Sequence, residues 1–203
     1  AADIIIKYEE GLQCKFPAKI RHHGDYKDHI ALSENSLIQS LDIHLKSGNI
    51  KGVTKFKLFL QNTRGNYEDE ILMTELLREF NYLSPRTSFI QAKINDIETA
   101  VIFQEKAGKE LLEYNYRREG PIFEGQENYM FGLVENIVSN QKSPTQMGFL
   151  PLLEKGVNGQ LAKQTNSNWN NKGEQFSLIS HQAISNLNLA YLLYINGYQD
   201  KKN

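Results

Sequence analysis

Apolar and polar residues alternate with period two along three stretches of the first 60 residues, a pattern that puts alternate side chains on opposite faces of a strand. In CKFPAKIRHHG, Phe16, Ala18 and Ile20 alternate against Lys15, Lys19 and Arg21. In SLIQSLDIHLKSGN the alternation runs through Leu37, Gln39, Leu41, Ile43 and Leu45 and closes on the turn cluster Ser47-Gly48-Asn49. A third strand, GVTKFKLFL, sets Phe56, Leu58 and Leu60 on one face and Lys55, Lys57 and Phe59 on the other. The period then lengthens. NYEDEILMTELLREFNYL repeats Ile71, Leu72, Leu76 and Phe80 at helical spacing, carries Glu68, Asp69 and Glu70 at its start, where the helix dipole favours them, and stops before Pro85. RTSFIQAKIND and ETAVIFQEK return to period two and predict a hairpin turning at Asn95-Asp96.

Three strands, one helix and two strands make a small antiparallel sheet lobe with one packed helix, an α+β arrangement. After Glu105 the pattern becomes mainly helical. GKELLEYNYRREG predicts a short helix ending near Gly120, GPIFEG a short extended piece, and YMFGLVENIVS a helix with Phe131, Val134 and Val138 on one side. KGVNGQLAKQTNSNWNNKGEQ reads as loop, and a last helix is expected from Ser180, as its cap, to Gly197. That helix is apolar nearly all round from Leu187 to Ile195 and is expected to be buried. The expected division is a strand-rich lobe over residues 1–104 and a hinge with a helical lobe over residues 105–203. No internal repeat is present.

Composition narrows the class without choosing a function. Apolar residues at 40% and charged residues at 23% are ordinary for a folded domain. No apolar run approaches the ~20 residues that cross a membrane as a helix. A net charge of −1 supplies no global field for nucleic acid or anionic lipid, and no strong basic run stands out, so neither is expected as a partner. The single cysteine, Cys14, excludes an internal disulfide and fits a reducing compartment. The motifs GxxxxGK(S/T), GxSxG and HExxH are all missing. Trp169, in a polar loop, is either a glycan- or peptide-binding ring or a side chain tucked under that loop.

Taken in order, KFKLFL, DEILMTELLREFNYL, SPRTSFIQAKIND, AVIFQEK and GKELLE resemble the spore-coat CotH family of atypical kinases, over roughly Ile20 to Gly125. PRTSF, Pro85 to Phe89, is the most specific piece. The resemblance implies that ATP is held between a sheet-rich lobe and a helical lobe and that phosphate passes to protein hydroxyls, commonly serines. A kinase needs a cation at the phosphates, a carboxylate to position it, a hinge beside the base, and acidic ligands for Mg²⁺ plus a base. Lys57 is the candidate cation, Glu70 or Glu75 its partner, and Gln104 and Glu105 lie where the hinge would begin. Arg86, within PRT, is read first as a turn-stabilising residue.

The resemblance also implies catalytic and metal-binding aspartates C-terminal to a helix like ISNLNLAYLLYING. After Asp96 the one aspartate is Asp200, so no catalytic residue and no metal ligand is assigned within the chain. The expectation is that the catalytic lobe continues past Asn203. The alternative is a non-catalytic pseudokinase or a binding and assembly module.

IRHHGDYKDHI gathers three histidines and two aspartates in eight positions. His22 and His23, adjacent on an extended strand, point to opposite faces and do not easily share one ion, although His22 with Asp25 or His29 is geometrically allowed. In the resembled family this is a phosphate-touching loop between the first two strands. That makes Arg21, Gly24 and Lys27 the residues of interest, Gly24 for a close backbone approach and the two cations for phosphate. A solvated hairpin turn is the competing reading. A thiol-imidazole pair of Cys14 with His22 or His23 is the remaining chemistry, disfavoured because Cys14 opens a strand.

Overall fold

The computed structural model describes residues 2–8, 11–24, 29–33, 36–63, 68–125 and 162–195. The chain forms two compact units, Ala1–Glu119 and Gly120–Asn203. Lys27, the helix expected around Phe131 to Val138, and Gly197 lie outside the described residues.

The first unit is built on a six-stranded antiparallel sheet. Its strands are β1 (Ala2–Lys7), β2 (Gln13–His22), β5 (Leu41–Leu45), β6 (Lys55–Leu60), β7 (Thr87–Ile94) and β8 (Ile97–Glu105), in the order β1-β2-β5-β6-β8-β7. Helix α1 (Asp69–Glu79) joins β6 to β7, and α2 (Lys109–Tyr114) follows β8. Between β2 and β5 the chain makes a separate hairpin of β3 (Ile30–Ser33) and β4 (Ser36–Gln39). The expected strands, helix and hairpin are thus present in an α+β unit. The edge strand β1 and the β3–β4 hairpin are additions that the alternation pattern did not reveal.

One face of the sheet is the core. Ala18, Ile43, Leu45, Phe56, Leu58, Leu60 and Val101 are buried on it, joined by Ile38, Val53 and Ile97. Each of the larger of these side chains contributes about 1.5–3 kcal/mol by leaving water. Phe56, Leu58 and Leu60 share this face as their spacing requires, with Lys55, Lys57 and Phe59 on the other.

The expected strand through Leu37 and Leu45 needs correction. It is two strands, interrupted at Ser40, and Ile38 rather than Leu37 is buried, Leu37 being exposed. Ser40 is fully buried and held at three points: its N–H donates to the His29 carbonyl at 3.0 Å, its carbonyl accepts from His23 N–H at 2.8 Å, and its Oγ accepts from Leu60 N–H at 3.2 Å. The break shifts the alternation by one residue, so even positions face inward before it and odd positions after it.

Helix α1 also departs from its apolar pattern. Leu72, Leu76 and Phe80 are exposed, whereas Thr74 is buried. The helix is tied to its own unit by polar contacts: the Thr74 carbonyl accepts from the buried Ser84 hydroxyl, and Arg78 donates to the Pro85 carbonyl at 3.0 Å.

The β7–β8 turn at Asn95-Asp96 has φ of 50° and 67°, the doubly left-handed geometry that suits the right-handed twist of a two-residue hairpin.

In the second unit β9 (Phe123–Glu124) pairs with β10 (Lys163–Gln164), followed by a 3-10 helix over Ser167–Lys172 and helix α3 over Glu174–Ile195. Helix α3 begins six residues before the expected cap at Ser180. Phe176 and Ser177 donate backbone N–H groups to Gly173, starting the helix there and leaving Ser180 in its interior. Ser180 is buried and donates to Gln164 Oε1. Leu187, Leu189 and Leu193 are exposed rather than buried, because among the described residues packing is concentrated at the start of α3, where Phe176 meets Trp169.

Candidate functional site

Antiparallel registration converts single positions on neighbouring strands into rows. Arg21 pairs with Asp42, Asp42 with Lys57, Lys57 with Gln104, and Gln104 with Thr87. Paired residues of an antiparallel sheet project to the same side. Five strands therefore contribute one polar row on the face opposite the core. A second row, two residues along each strand, consists of Lys19, His44 and Lys55. A third contains Phe59, Ile102 and Phe89, of which Phe59 and Ile102 are fully buried.

Lys57 occupies the centre of the first row. It is half-buried, with its ammonium 5.5 Å from the Phe59 ring centroid. Beside it, Gln104 donates from Nε2 to Glu70 Oε1, bringing a carboxylate from α1 to the row. Glu75 is not brought there; it is exposed and pairs with Arg78 one turn along the same helix. On the other side of Lys57, Asp42 accepts from Lys106 Nζ at 2.6 Å. Lys106 directly follows β8, and its backbone N–H donates to the Lys55 carbonyl.

Glu105 projects to the opposite, core-facing side, level with Phe56, and is 4% exposed. Its carboxylate is fully engaged by Arg86, Nε to Oε2 at 2.9 Å and Nη2 to Oε1 at 2.6 Å. Arg86 also donates to the Lys51 carbonyl and stacks over the Tyr114 ring at 4.3 Å. The PRT arginine is thus a turn-stabilising residue. A carboxylate on an apolar face is tolerated only with such a partner.

Gly24 has φ of 102°, and a Cβ there would overlap the His29 ring. The close approach anticipated at this glycine is made by His29. His23 and His29 meet edge to face at 5.3 Å, and His23 packs on Phe59 at 5.3 Å. Two of the three histidines of IRHHGDYKDHI therefore cover an apolar ring. Among the described residues no three His, Cys, Asp or Glu side chains gather in a metal-holding group. Cys14 and His22 stand eight residues apart on β2, about 26 Å along an extended strand, too far for a thiol-imidazole pair.

The rows are strongly cationic although the chain as a whole is not. Lys19, Arg21, Lys55, Lys57 and Lys106, on β2, β6 and the residue after β8, outnumber the carboxylates near them, Asp42 on the row, Glu70 reaching it from α1 and Glu110 beside Lys55. No basic run marks this in the sequence, because each strand contributes cations only at alternate positions. His44 reports the field: burial and then Lys55 hold its imidazole below the ordinary value, Lys19 adds to the effect, and Asp42 and Glu110 oppose it. Glu110 of α2 behaves oppositely. Burial works against its charge, but a 2.6 Å hydrogen bond from Thr54, its own backbone N–H, Lys55 and Lys109 together hold its carboxyl below the usual range.

Trp169, in the second unit, is 7% exposed and packs edge to face on Phe176 at 5.0 Å. It is the tucked ring, not an open binding platform. No described helix is long and apolar enough to cross a membrane. The chain matches no protein-family model and no curated protein.

Proposed function

We propose that the Ala1–Glu119 unit is the nucleotide-binding lobe of a CotH-like atypical kinase, holding ATP for phosphoryl transfer to serine hydroxyls of a protein substrate. The observation that carries this reading is the row Asp42, Lys57, Gln104 with Glu70 hydrogen-bonded to Gln104. A strand lysine, a carboxylate from the next helix and a last strand leading into Lys106 are the parts a kinase uses to hold and orient a triphosphate. Lys57 acts as a point charge on phosphate oxygens. Gln104 fixes Glu70 beside the row and keeps its negative charge at a set distance from the phosphates.

The described side chains fit ATP better than they fit Mg²⁺. Magnesium is held by one or two carboxylates together with substrate phosphates. Here Asp42 is held by Lys106 and Glu70 by Gln104, so the row supplies charge to phosphates rather than an oxygen shell to a metal. No step is assigned to the metal.

The test is thermal stability with ATP, with and without Mg²⁺, for the wild-type chain and Lys57→Met. Specific binding at a hundred times the dissociation constant stabilises by about 2.7 kcal/mol. The wild type is expected to shift and Lys57→Met to lose most of the shift. Equal shifts remove Lys57 from the site, and no shift in either favours a binding or assembly module without nucleotide.

A nucleotide-binding pseudokinase is the second reading. Phosphoryl transfer from ATP to a serine-rich protein separates the two, since a pseudokinase shows the thermal shift without transfer.

A further inference from the structure

If a nucleotide lies on this sheet face, its two ends meet different chemistry. Along a strand, residues two apart are about 7 Å apart, and neighbouring strands are separated by about 5 Å. Lys57, Lys55, Lys19 and Arg21 therefore lie within one lysine side chain's reach of a common path over β6, β5 and β2. Lys19, Arg21 and Lys55 form no ion pair among the described residues and are exposed, so their charges face outward.

A purine finds little here. The large apolar residues of the third row are withdrawn, Phe59 and Ile102 being fully buried. The one flat ring on the two polar rows is that of His44, with Lys19 and Lys55 as its cross-strand neighbours. Where β8 ends, the residue meeting the row is Lys106, its ammonium on Asp42. An adenine laid over these positions would cover cations, with His44 and the Arg21 guanidinium as its flat partners on the two rows. A chain of phosphates would meet a cation at nearly every step.

We propose that this face recognises the phosphate chain of its ligand and not the base, with the phosphates running from Lys57 over Lys55 toward Lys19 and Arg21. The inference rests on the nucleotide-lobe reading and adds the orientation and selectivity of that site: a polyphosphate site tolerant of the nucleoside. Contacts of this kind are electrostatic and weaken with salt.

The experiment is a competition series on the full chain by isothermal titration, using ATP, GTP, adenosine and inorganic tripolyphosphate at two salt concentrations. ATP and GTP are expected to bind within threefold of each other. Tripolyphosphate is expected to displace them, adenosine to show no binding, and affinity to fall at the higher salt. Lys19→Glu and Lys55→Glu are each expected to weaken ATP and tripolyphosphate at least tenfold. Lys93→Glu, on the distant edge strand, changes neither, and circular dichroism of each variant confirms folding. If adenosine binds nearly as well as ATP and tripolyphosphate does not compete, the inference is overturned while the nucleotide-lobe reading survives. Tripolyphosphate binding without ATP binding overturns the nucleotide reading and leaves a plain polyanion site. Equal losses for all three charge reversals show nonspecific attraction and overturn the inference.

Discussion

Arg86 and Glu105 meet as a two-point fork, Nε on Oε2 at 2.9 Å and Nη2 on Oε1 at 2.6 Å, at the place where the apolar face of the sheet ends. The Glu105 side chain is 1% exposed and that of Arg86 17%. Leaving either charge buried without the other costs about 3–5 kcal/mol, whereas removing both costs less. Urea unfolding of Arg86→Met, Glu105→Leu and the double variant is expected to show two large single losses and a double loss well below their sum. Additive losses would show that the fork is not a coupled unit.

Gly24→Ala places a methyl group into the His29 ring at a left-handed φ. The expected loss is about 1–3 kcal/mol, made of backbone strain and overlap. In the His29→Ala background only the strain is left, so the Gly24→Ala penalty should fall. A penalty unchanged in that background would mean that the ring does not occupy the space beside Gly24.

The Thr54–Glu110 hydrogen bond carries a signed pH dependence. Because the folded Glu110 carboxyl is held below its ordinary range, its contribution is present above the unfolded carboxylate pKa and is lost as pH falls through the folded value. Thr54→Val removes the largest of the favourable causes. The stability gap between wild type and Thr54→Val should be widest at neutral pH and close in acid, read as urea midpoints from pH 7 down to pH 3. A gap independent of pH would assign the Thr54 effect to packing.

Gln164 ties the second unit together: its amide exchanges two hydrogen bonds of 3.0 Å with Asn170, and its oxygen also accepts from Ser180. Gln164→Leu leaves the buried Ser180 hydroxyl without its acceptor, a cost of about 1–3 kcal/mol. Trp169 is the single tryptophan, is buried and directly precedes Asn170 in the chain, so its emission reports on this clip. A red shift in Gln164→Leu under native conditions is expected. Unchanged emission would show that Trp169 is held by Phe176 alone.

The period-two and helical patterns revealed the central strands, α1 and the β7–β8 hairpin because those elements are long and locally determined. Three features were not legible. The parity change at Ser40 depends on hydrogen bonds from residues 11 and 17 positions earlier and 20 later. The Arg86–Glu105 fork joins two motifs that the sequence shows side by side only after β7 and β8 pair. The cationic rows are assembled by register: Lys19, His44 and Lys55 are far apart in the chain and neighbours across it. Of the candidate site residues, Arg21, Lys57 and Gln104 fall on one row and Glu70 reaches it, while Glu105 and Glu75 are held elsewhere.

The hydrogen bond from His23 N–H to the Ser40 carbonyl, 2.8 Å long, closes the two ends of everything between them. Just before it, His22 is already in register with Leu41. The segment from Gly24 to Gln39 is therefore an excursion from what would otherwise be a plain β2–β5 hairpin, one that returns Ile38 to the core and His29 to the Phe59 ring. Such an excursion can lengthen, shorten or change composition over evolutionary time while the strands that carry Arg21, Asp42 and Lys57 keep their alignment. A graft replacing residues 24–39 with a tight two-residue turn should keep the β2–β5 register but destabilise the unit, since it removes Ile38 from the core, His29 from over Phe59 and the acceptor of the Ser40 N–H.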